Sequence, residues 1–99
     1  MKKYEIWVIE PKKMKRISVY YADEIEIKKD DYGTFVGDIQ LGKKVGFKIE
    51  GKSRKTWVHT VRNMVQIINK ETGDVTVLKS NEQELRELGM DEMADKYFG

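Results

Sequence analysis

The sequence predicts a mostly β protein with a C-terminal α-helix: a small antiparallel β-barrel, or a strongly curved sheet, of about six or seven short strands capped by that one helix. Apolar and polar residues alternate over short stretches, which is the period of a half-buried strand. Turn-forming residues separate these stretches, and the end of the chain changes to an acidic, helix-like pattern. We therefore expect one domain over residues 1–99, with a β body over 1–79 and an acidic helix over 80–99.

Three strands are predicted in the first part of the chain. At the centre of residues 4–10, the side chains that point to either side of the strand are all apolar. This is typical of a strand that lies inside a sheet or is covered on both faces. Pro11 ends this strand because proline cannot donate a ladder hydrogen bond. A second strand is predicted from the alternation of Ile17, Val19 and Tyr21. Residues 22–27 form a third, either separate or continuous with the second through a bulge.

Two turns divide the next part of the chain. Residues 30–33 (DDYG) have turn chemistry, and residues 35–41 then alternate as a fourth strand. Residues 42–44 (GKK) are predicted to form the next turn, which leads to a fifth strand over residues 45–49.

Residues 54–69 fit two patterns. The helical pattern places five apolar residues on one face: Trp57, Val61, Met64, Val65 and Ile68. Threonine, valine, isoleucine and tryptophan dominate the segment, however, and these residues favour strands. We therefore expect strands over residues 56–61 and 64–68 with a bend at 62–63, followed by a hairpin to a last strand over 75–78.

The tail carries the signals of a helix start. Ser80 or Asn81 can cap the helix, with Gln83 or Glu84 as the capping-box partner. Acidic residues fill the first turn, where the helix dipole favours them. Gly89 is expected to stop or kink the helix before a second short turn.

Composition excludes several classes of function. The chain has 99 residues and no cysteine, so it has neither disulfides nor thiolate metal sites, and its only histidine, His59, cannot build a typical transition-metal centre. No cofactor or metal is expected. No apolar run is long enough to span a membrane or to form a signal peptide, so we expect a cytoplasmic protein with no membrane partner.

One stretch resembles a catalytic motif. Residues 46–53, which begin at Gly46 and end with Lys52 and Ser53, fit the phosphate-binding pattern G-x-x-x-x-G-K-[ST]. A true phosphate loop follows a strand and opens a helix, whereas Val45, Phe47 and the residues around them alternate as a strand. We interpret the match as a false positive and residues 51–54 as a basic hairpin tip. The sequence shows no other catalytic arrangement, and we predict that the protein is not an enzyme.

Charge is distributed unevenly along the chain. The net charge is +2, but the last 19 residues hold six of the 17 acidic residues and two of the 19 basic ones. Basic residues gather in three predicted turns, and aromatic residues beside them could stack on bases. The alternative is that these residues only solubilise the surface. The candidate residues for an anionic partner are Lys12, Lys13, Lys15, Arg16, Lys43, Lys44, Lys52, Arg54, Lys55, Trp57 and His59.

The tail offers a second candidate surface. Methionine and aromatic residues are common at adaptable interfaces, and the tail holds more of them than one short helix needs for docking. The alternative is that they complete a small core. The candidate interface residues are Met90, Met93, Tyr97 and Phe98.

Two binding functions follow from these observations. In the first, a non-catalytic binding module acts as an adaptor, regulator or inhibitor of a protein partner. In the second, a small β-barrel binds nucleic acid through basic loops and aromatic stacking. The first is favoured because the basic excess is modest and no base-reading motif is present. The sequence leaves the partner and the oligomeric state open.

Overall fold

The computed structural model describes residues 2–36, 39–49 and 55–98. These residues form seven strands and two helices, which confirms the mostly β class with a helical C-terminus. The elements in chain order are β1 (Tyr4–Glu10), β2 (Lys15–Ala22), β3 (Glu24–Val36), β4 (Ile39–Lys48), β5 (Lys55–His59), β6 (Met64–Asn69), β7 (Val75–Leu78), α1 (Asn81–Glu87) and α2 (Asp91–Phe98).

The strands form two antiparallel sheets. The four-stranded sheet has the order β2-β1-β6-β7, and the three-stranded sheet has the order β3-β4-β5. β1 lies inside its sheet, as its apolar centre predicted, because both of its edges pair with neighbours.

Apolar side chains of both sheets pack into one core between them. Ile6 of β1, Val65 of β6, and Val45 and Phe47 of β4 are fully or almost fully buried there. Tyr20 adds its ring to this core, with its centroid 5.1 Å from that of Phe47.

The expected closed barrel is not found among the described strands. Each sheet keeps two edges, formed by β2 and β7 in one sheet and by β3 and β5 in the other. β3 and β4 pair with each other well beyond the five residues of β5, so part of this ribbon has only two strands. The described strands therefore form two packed sheets and not one closed barrel.

Both turns predicted around this ribbon are wrong. Residues 30–33 lie within β3 and residues 42–44 lie within β4. The pairing passes from Lys29 opposite Lys43 to Thr34 opposite Leu41, so the longer segment in β3 bulges out of register. The turn residues 30–33 therefore appear as an irregularity inside a strand, because pairing with β4 overrides their local preference.

Residues 55–69 adopt the strand alternative, as β5 and β6, with the predicted bend between them.

The turn from β6 to β7 is stabilised by hydrogen bonds to its own side chains. Asn69 Oδ1 accepts hydrogen bonds from the backbone N–H groups of Glu71 and Thr72, at 3.0 and 3.3 Å. Gly73 has a φ of 80°, a left-handed conformation that glycine adopts without strain. The predicted last strand over residues 75–78 is confirmed as β7.

Two helices replace the single predicted one. The capping box at the start of α1 is confirmed: Ser80 Oγ accepts from the Gln83 N–H, and Gln83 Oε1 accepts from the Ser80 N–H at 2.9 Å. Gly89, at a φ of 79°, follows α1, and the second short turn expected there is the full helix α2. Leu85 and Ala94 are fully buried between the helices. None of the helices in the described part of the chain is long and apolar enough to cross a membrane.

Candidate functional site

The basic residues predicted to bind an anionic partner lie on two different sheets. Lys15 and Arg16 begin β2 in the four-stranded sheet, whereas Lys44 and Lys55 belong to the three-stranded sheet. Lys12 and Lys13 lie in the exposed turn between β1 and β2. Lys52, Arg54 and the side chain of Lys43 lie outside the described residues.

The outer surface of the three-stranded sheet is charged. The register places Lys44 opposite His59, Gly46 opposite Trp57, and Lys48 opposite Lys55. These residues alternate with Val45, Phe47 and Val58, which face the core, so they share the outer side. We call this surface the charged face and define it by Glu24, Glu26, Lys44, Lys48, Lys55, Trp57 and His59.

Two contacts reduce what the charged face can offer a partner. Lys55 Nζ lies 2.7 Å from Glu26 Oε2, so this cation already has a carboxylate partner. The ring of Trp57 covers Gly46 so closely that a Cβ atom on Gly46 would lie 2.8 Å from it. Gly46 thus serves as a close-packing position inside β4, and the start of the phosphate-loop match is a strand.

Three of the four candidate interface residues in the tail pack inside the helical pair. Met90, Met93 and Phe98 contact the small core that Leu85 and Ala94 form. The exception is Tyr97, which is 45% exposed and has Lys96 Nζ 5.5 Å from its ring centroid.

The outer surface of the four-stranded sheet is apolar, which the sequence analysis missed. Alternation puts Ile6 and Tyr20 in the core, so Trp7 and Val19 point outward. The strand register arranges the outward residues in two rows of four across the sheet. The rows are Tyr21, Glu5, Ile68, Val75 and Val19, Trp7, Gln66, Val77.

Six of these eight side chains are apolar, and we call them the apolar face: Trp7, Val19, Tyr21, Ile68, Val75 and Val77. Tyr21, Val75 and Val77 are 47%, 55% and 46% exposed, and the other three are half-buried. No described element covers this surface to the extent that the core is covered. Exposed apolar patches of this kind mark interaction sites in soluble proteins.

Two cations lie over the aromatic rings of the apolar face. Arg16 Cζ is 4.9 Å from the centroid of the Trp7 ring, and Lys70 Nζ is 5.5 Å from that of Tyr21. Trp7 Nε1 also donates a 2.5 Å hydrogen bond to Glu5 Oε1. The indole is therefore held in place by a carboxylate at its nitrogen and a guanidinium over its ring.

A signal for the apolar face was present in the sequence. Both phases of β1 are apolar, with Ile6 and Val8 in one and Trp7 in the other. In β2, Val19 and Tyr21 alternate with Tyr20 and Ala22, so that strand also offers apolar residues in both phases. Two neighbouring strands that are apolar in both phases indicate a second apolar face of the sheet.

The helices join the sheets through a network of charges. Glu82 is only 7% exposed and accepts a 3.1 Å hydrogen bond from Arg86 Nη2, and Lys12 Nζ lies 3.5 Å from the same carboxylate oxygen. Arg86 Nη2 also donates to Asp95 Oδ1 at 2.8 Å. Hydrogen bonds to Asp95 and then to Glu82 raise the pKa of Arg86 above its usual value. The network links the β1–β2 turn to both helices.

A cavity of about 230 Å³ opens beside this network, lined in part by Glu10, Lys12, Arg62 and Phe98. Its lining mixes both charges with apolar groups and does not select a ligand class. Within residues 2–36, 39–49 and 55–98, no group of three His, Asp or Glu side chains could hold a metal ion.

Comparison with known proteins adds no functional assignment. No protein-family model matches the chain, and no curated protein or solved structure is significantly similar to it.

Proposed function

We propose that the protein is a non-catalytic binding module that acts as an adaptor, regulator or inhibitor of a protein partner, and that the apolar face is its contact surface. The observation that carries the proposal is the exposure of Tyr21, Val75 and Val77 on one side of the four-stranded sheet. Burying such a surface against a partner is favourable by roughly 25 cal/mol per Å² of apolar area, before the costs of association.

The chemistry of the apolar face favours a protein over a nucleic acid. Ile68, Val75 and Val77 are aliphatic and cannot stack on bases. The two aromatic rings, Trp7 and Tyr21, each already have a cation over one face. These features suit the apolar core of a protein interface better than a platform for bases.

The positions of the two cations define the charge of the partner. Arg16 pairs with Ile9 near the C-terminal end of β1, whereas the Lys70 N–H donates to the Lys3 carbonyl oxygen before the N-terminal end of β1. The cations therefore stand at opposite ends of the apolar face along the strand direction. A partner that presents an apolar surface flanked by carboxylates at both ends is complementary to this arrangement.

Site-specific photo-crosslinking in the cells that produce the protein tests this proposal. The photoreactive amino acid p-benzoylphenylalanine replaces Tyr21 on the apolar face, or Lys48 on the charged face as a matched control. We expect a defined protein adduct from position 21 that position 48 does not give. The same adducts from both positions, or none from position 21, would contradict the proposal.

The partner identified from the adduct is then purified by itself, and its binding to the wild-type chain is measured by calorimetry. Tyr21→Ser is expected to weaken binding by about tenfold or more, because it removes a large aromatic ring that is 47% exposed on the apolar face. Lys48→Ser is expected to leave the affinity within about twofold, since rim-type surface contacts contribute little. Equal effects of the two substitutions would place the contact elsewhere.

The alternative function is nucleic-acid binding, and one observation supports it. Lys44, Lys48 and Lys55 lie on the charged face together with Trp57 and His59, so part of the predicted cationic and aromatic set does share one surface. Backbone-tracking cations beside an aromatic ring form a common single-strand site. Two carboxylates on the same face, Glu24 and Glu26, and the ion pair of Lys55 oppose such a partner.

Fluorescence anisotropy of labelled single-stranded DNA, duplex DNA and RNA tests the alternative, at low and physiological salt. A phosphate-binding face requires affinity that falls steeply with salt and drops further when Lys52, Arg54 and Lys55 are neutralised. Neutralising Lys70 on the other sheet is the matched control and should leave the affinity unchanged. Binding that appears only at low salt, or that all lysines reduce equally, would reject the charged face as a specific site.

A further inference from the structure

The edge of the four-stranded sheet at β7 is unprotected. β7 pairs with β6 on one side, and no described strand pairs with its other side. Its sequence, VTVL, is β-branched and has no charge, proline or glycine. Its register with β6 runs without interruption from Val75 opposite Ile68 to Leu78 opposite Val65. An open, regular edge of this kind is a template for another strand.

The other three edges of the described sheets each carry a feature that discourages strand addition. These features are charged side chains and breaks in register, which proteins use to prevent edge pairing. β2 carries Lys15, Arg16 and a bulge. β3 carries Glu24, Glu26 and a register shift, and β5 carries Lys55 and His59. β7 differs from all three, and this difference marks it as an interaction edge.

Two backbone hydrogen bonds show which groups of β7 point outward. The Lys70 N–H donates to the Lys3 carbonyl, so the backbone N–H and C=O groups of even-numbered β6 residues point toward β1. The Asn69 N–H donates to the Asp74 carbonyl, so those of odd-numbered β6 residues point toward β7. Their β7 partners, such as Thr76 opposite Ile67, therefore bond inward. Alternation leaves the N–H and C=O groups of Val75 and Val77 directed at the open edge.

We propose that this edge pairs with the same edge of a second copy of the chain, antiparallel and centred on Thr76. A two-fold axis perpendicular to the sheet keeps the outer faces of both copies on one side. With Thr76 opposite Thr76 of the second copy, Val75 of each copy lies opposite Val77 of the other. The outward N–H and C=O groups of these valines then bond to one another in both pairs.

The edge is self-complementary in this register. Val–Val and Thr–Thr pairs across antiparallel strands are favourable, and no charged side chain from Val75 to Val77 meets a like charge. A closed two-fold contact of this type uses the same residues from both copies and stops at a dimer. The short length of β7 predicts a reversible dimer with a small interface.

This inference does not rest on the proposed function, because it uses the backbone edge of β7 and not the apolar face. The two are compatible, since edge pairing would join the apolar faces of two copies into one continuous surface.

Sedimentation velocity over a wide concentration range tests the proposal. We expect the wild-type chain to pass from monomer to dimer as its concentration rises. Thr76→Lys places two like charges opposite each other on the two-fold axis and should lower the association constant by about tenfold or more. Thr76→Ser is the matched control and should dimerise as the wild type does. Thermal unfolding of each variant establishes that the fold is retained.

A charge exchange makes the test specific for this register. Thr76→Glu alone should be monomeric, and mixing it with Thr76→Lys should restore a mixed dimer, because opposite charges then meet. Hydrogen exchange should protect the Val75 and Val77 amides in the wild-type dimer and not in Thr76→Lys. A wild-type chain that stays monomeric throughout, or a dimer that Thr76→Lys leaves intact, overturns the proposal.

Discussion

Each sheet turns one tryptophan outward, and the two tryptophans have different surroundings. On the charged face, Trp57 lies over Gly46 and is surrounded by Lys44, Lys55 and His59. On the apolar face, Trp7 lies beside Val19, among residues that are themselves apolar and exposed.

The difference separates a tryptophan that the packing of the fold requires from a group of exposed apolar side chains that the packing does not require. Trp57 fills the space that a missing side chain leaves at Gly46, and the charges around it make the rest of that face soluble. On the apolar face, Val75 and Val77 remain 55% and 46% exposed, so no described element covers them as the Trp57 ring covers Gly46. The contrast supports the proposal that the outer surface of the four-stranded sheet is the contact surface.

The largest effect is expected where the charged face is most tightly packed. Gly46→Ala brings a Cβ atom within 2.8 Å of the Trp57 ring and 3.2 Å of the Glu26 carbonyl oxygen. We expect the free energy of unfolding to fall by about 1–3 kcal/mol, as in other overpacked sites. Urea denaturation measures this loss, and in a Trp57→Ala background the same substitution should cost less. A full loss in both backgrounds would show that the ring is not the obstacle.

A smaller effect is expected from the cation on the apolar face. Arg16→Gln removes the guanidinium from above the Trp7 ring and leaves a shorter, uncharged polar side chain. We expect a loss of about 0.5–1 kcal/mol in the free energy of unfolding, as for exposed cation–π pairs. The matched control is Lys15→Gln, because this neighbouring cation lies over no aromatic ring among the described residues. Equal losses in both variants would mean that general charge, and not the ring contact, is responsible.

The ion pair on the charged face should contribute less still. Glu26→Gln removes the partner of Lys55 Nζ, and both side chains are about half exposed. Solvent and salt screen such a pair, so the free energy of unfolding should change by about 0.5 kcal/mol or less. Thermal melts at low and high salt check this, since the small difference from the wild type should shrink as salt rises. A loss that high salt does not reduce would argue against an electrostatic origin.

The smallest effect on stability is expected on the apolar face itself. Val75→Thr keeps the shape of a side chain that is 55% exposed and replaces one methyl group with a hydroxyl. The free energy of unfolding should stay within about 0.5 kcal/mol of the wild type. The fluorescence of a hydrophobic dye such as ANS should fall. A large loss of stability would show that Val75 is already packed and would remove the contrast between the two faces.

Much of the fold could be predicted from local patterns. The first and last strands have the bounds that alternation gave, and Ser80 with Gln83 forms the predicted capping box. The turns at residues 30–33 and 42–44 could not be predicted correctly, because the pairing of β3 with β4 depends on two long segments and overrides local turn chemistry. The second helix follows from the stop at Gly89, but its full length depends on packing against Leu85.

The candidate site was harder to predict, for a physical reason. Alternation in a strand separates two faces but does not say which face meets the core. In β2, Val19 and Tyr21 have the clearer apolar pattern, yet Tyr20 and Ala22 face the core. Only the position of the second sheet decides between them. The basic turns were visible in the sequence, but their distribution over two sheets depends on the strand order.

The central position of β1 has a consequence for how the chain is made. β1 leaves the ribosome well before β6, with which it pairs and which ends at Asn69. At a synthesis rate of about 5–20 residues per second, β1 waits several seconds for the second of its two neighbours. During that time one backbone edge of β1 is unpaired and its apolar residues are not yet covered. The pairing of β1 with β6, which joins distant parts of the chain, must still form. Completion of the four-stranded sheet therefore waits for β6 and β7, and β1 is most prone to aggregation before Asn69 emerges.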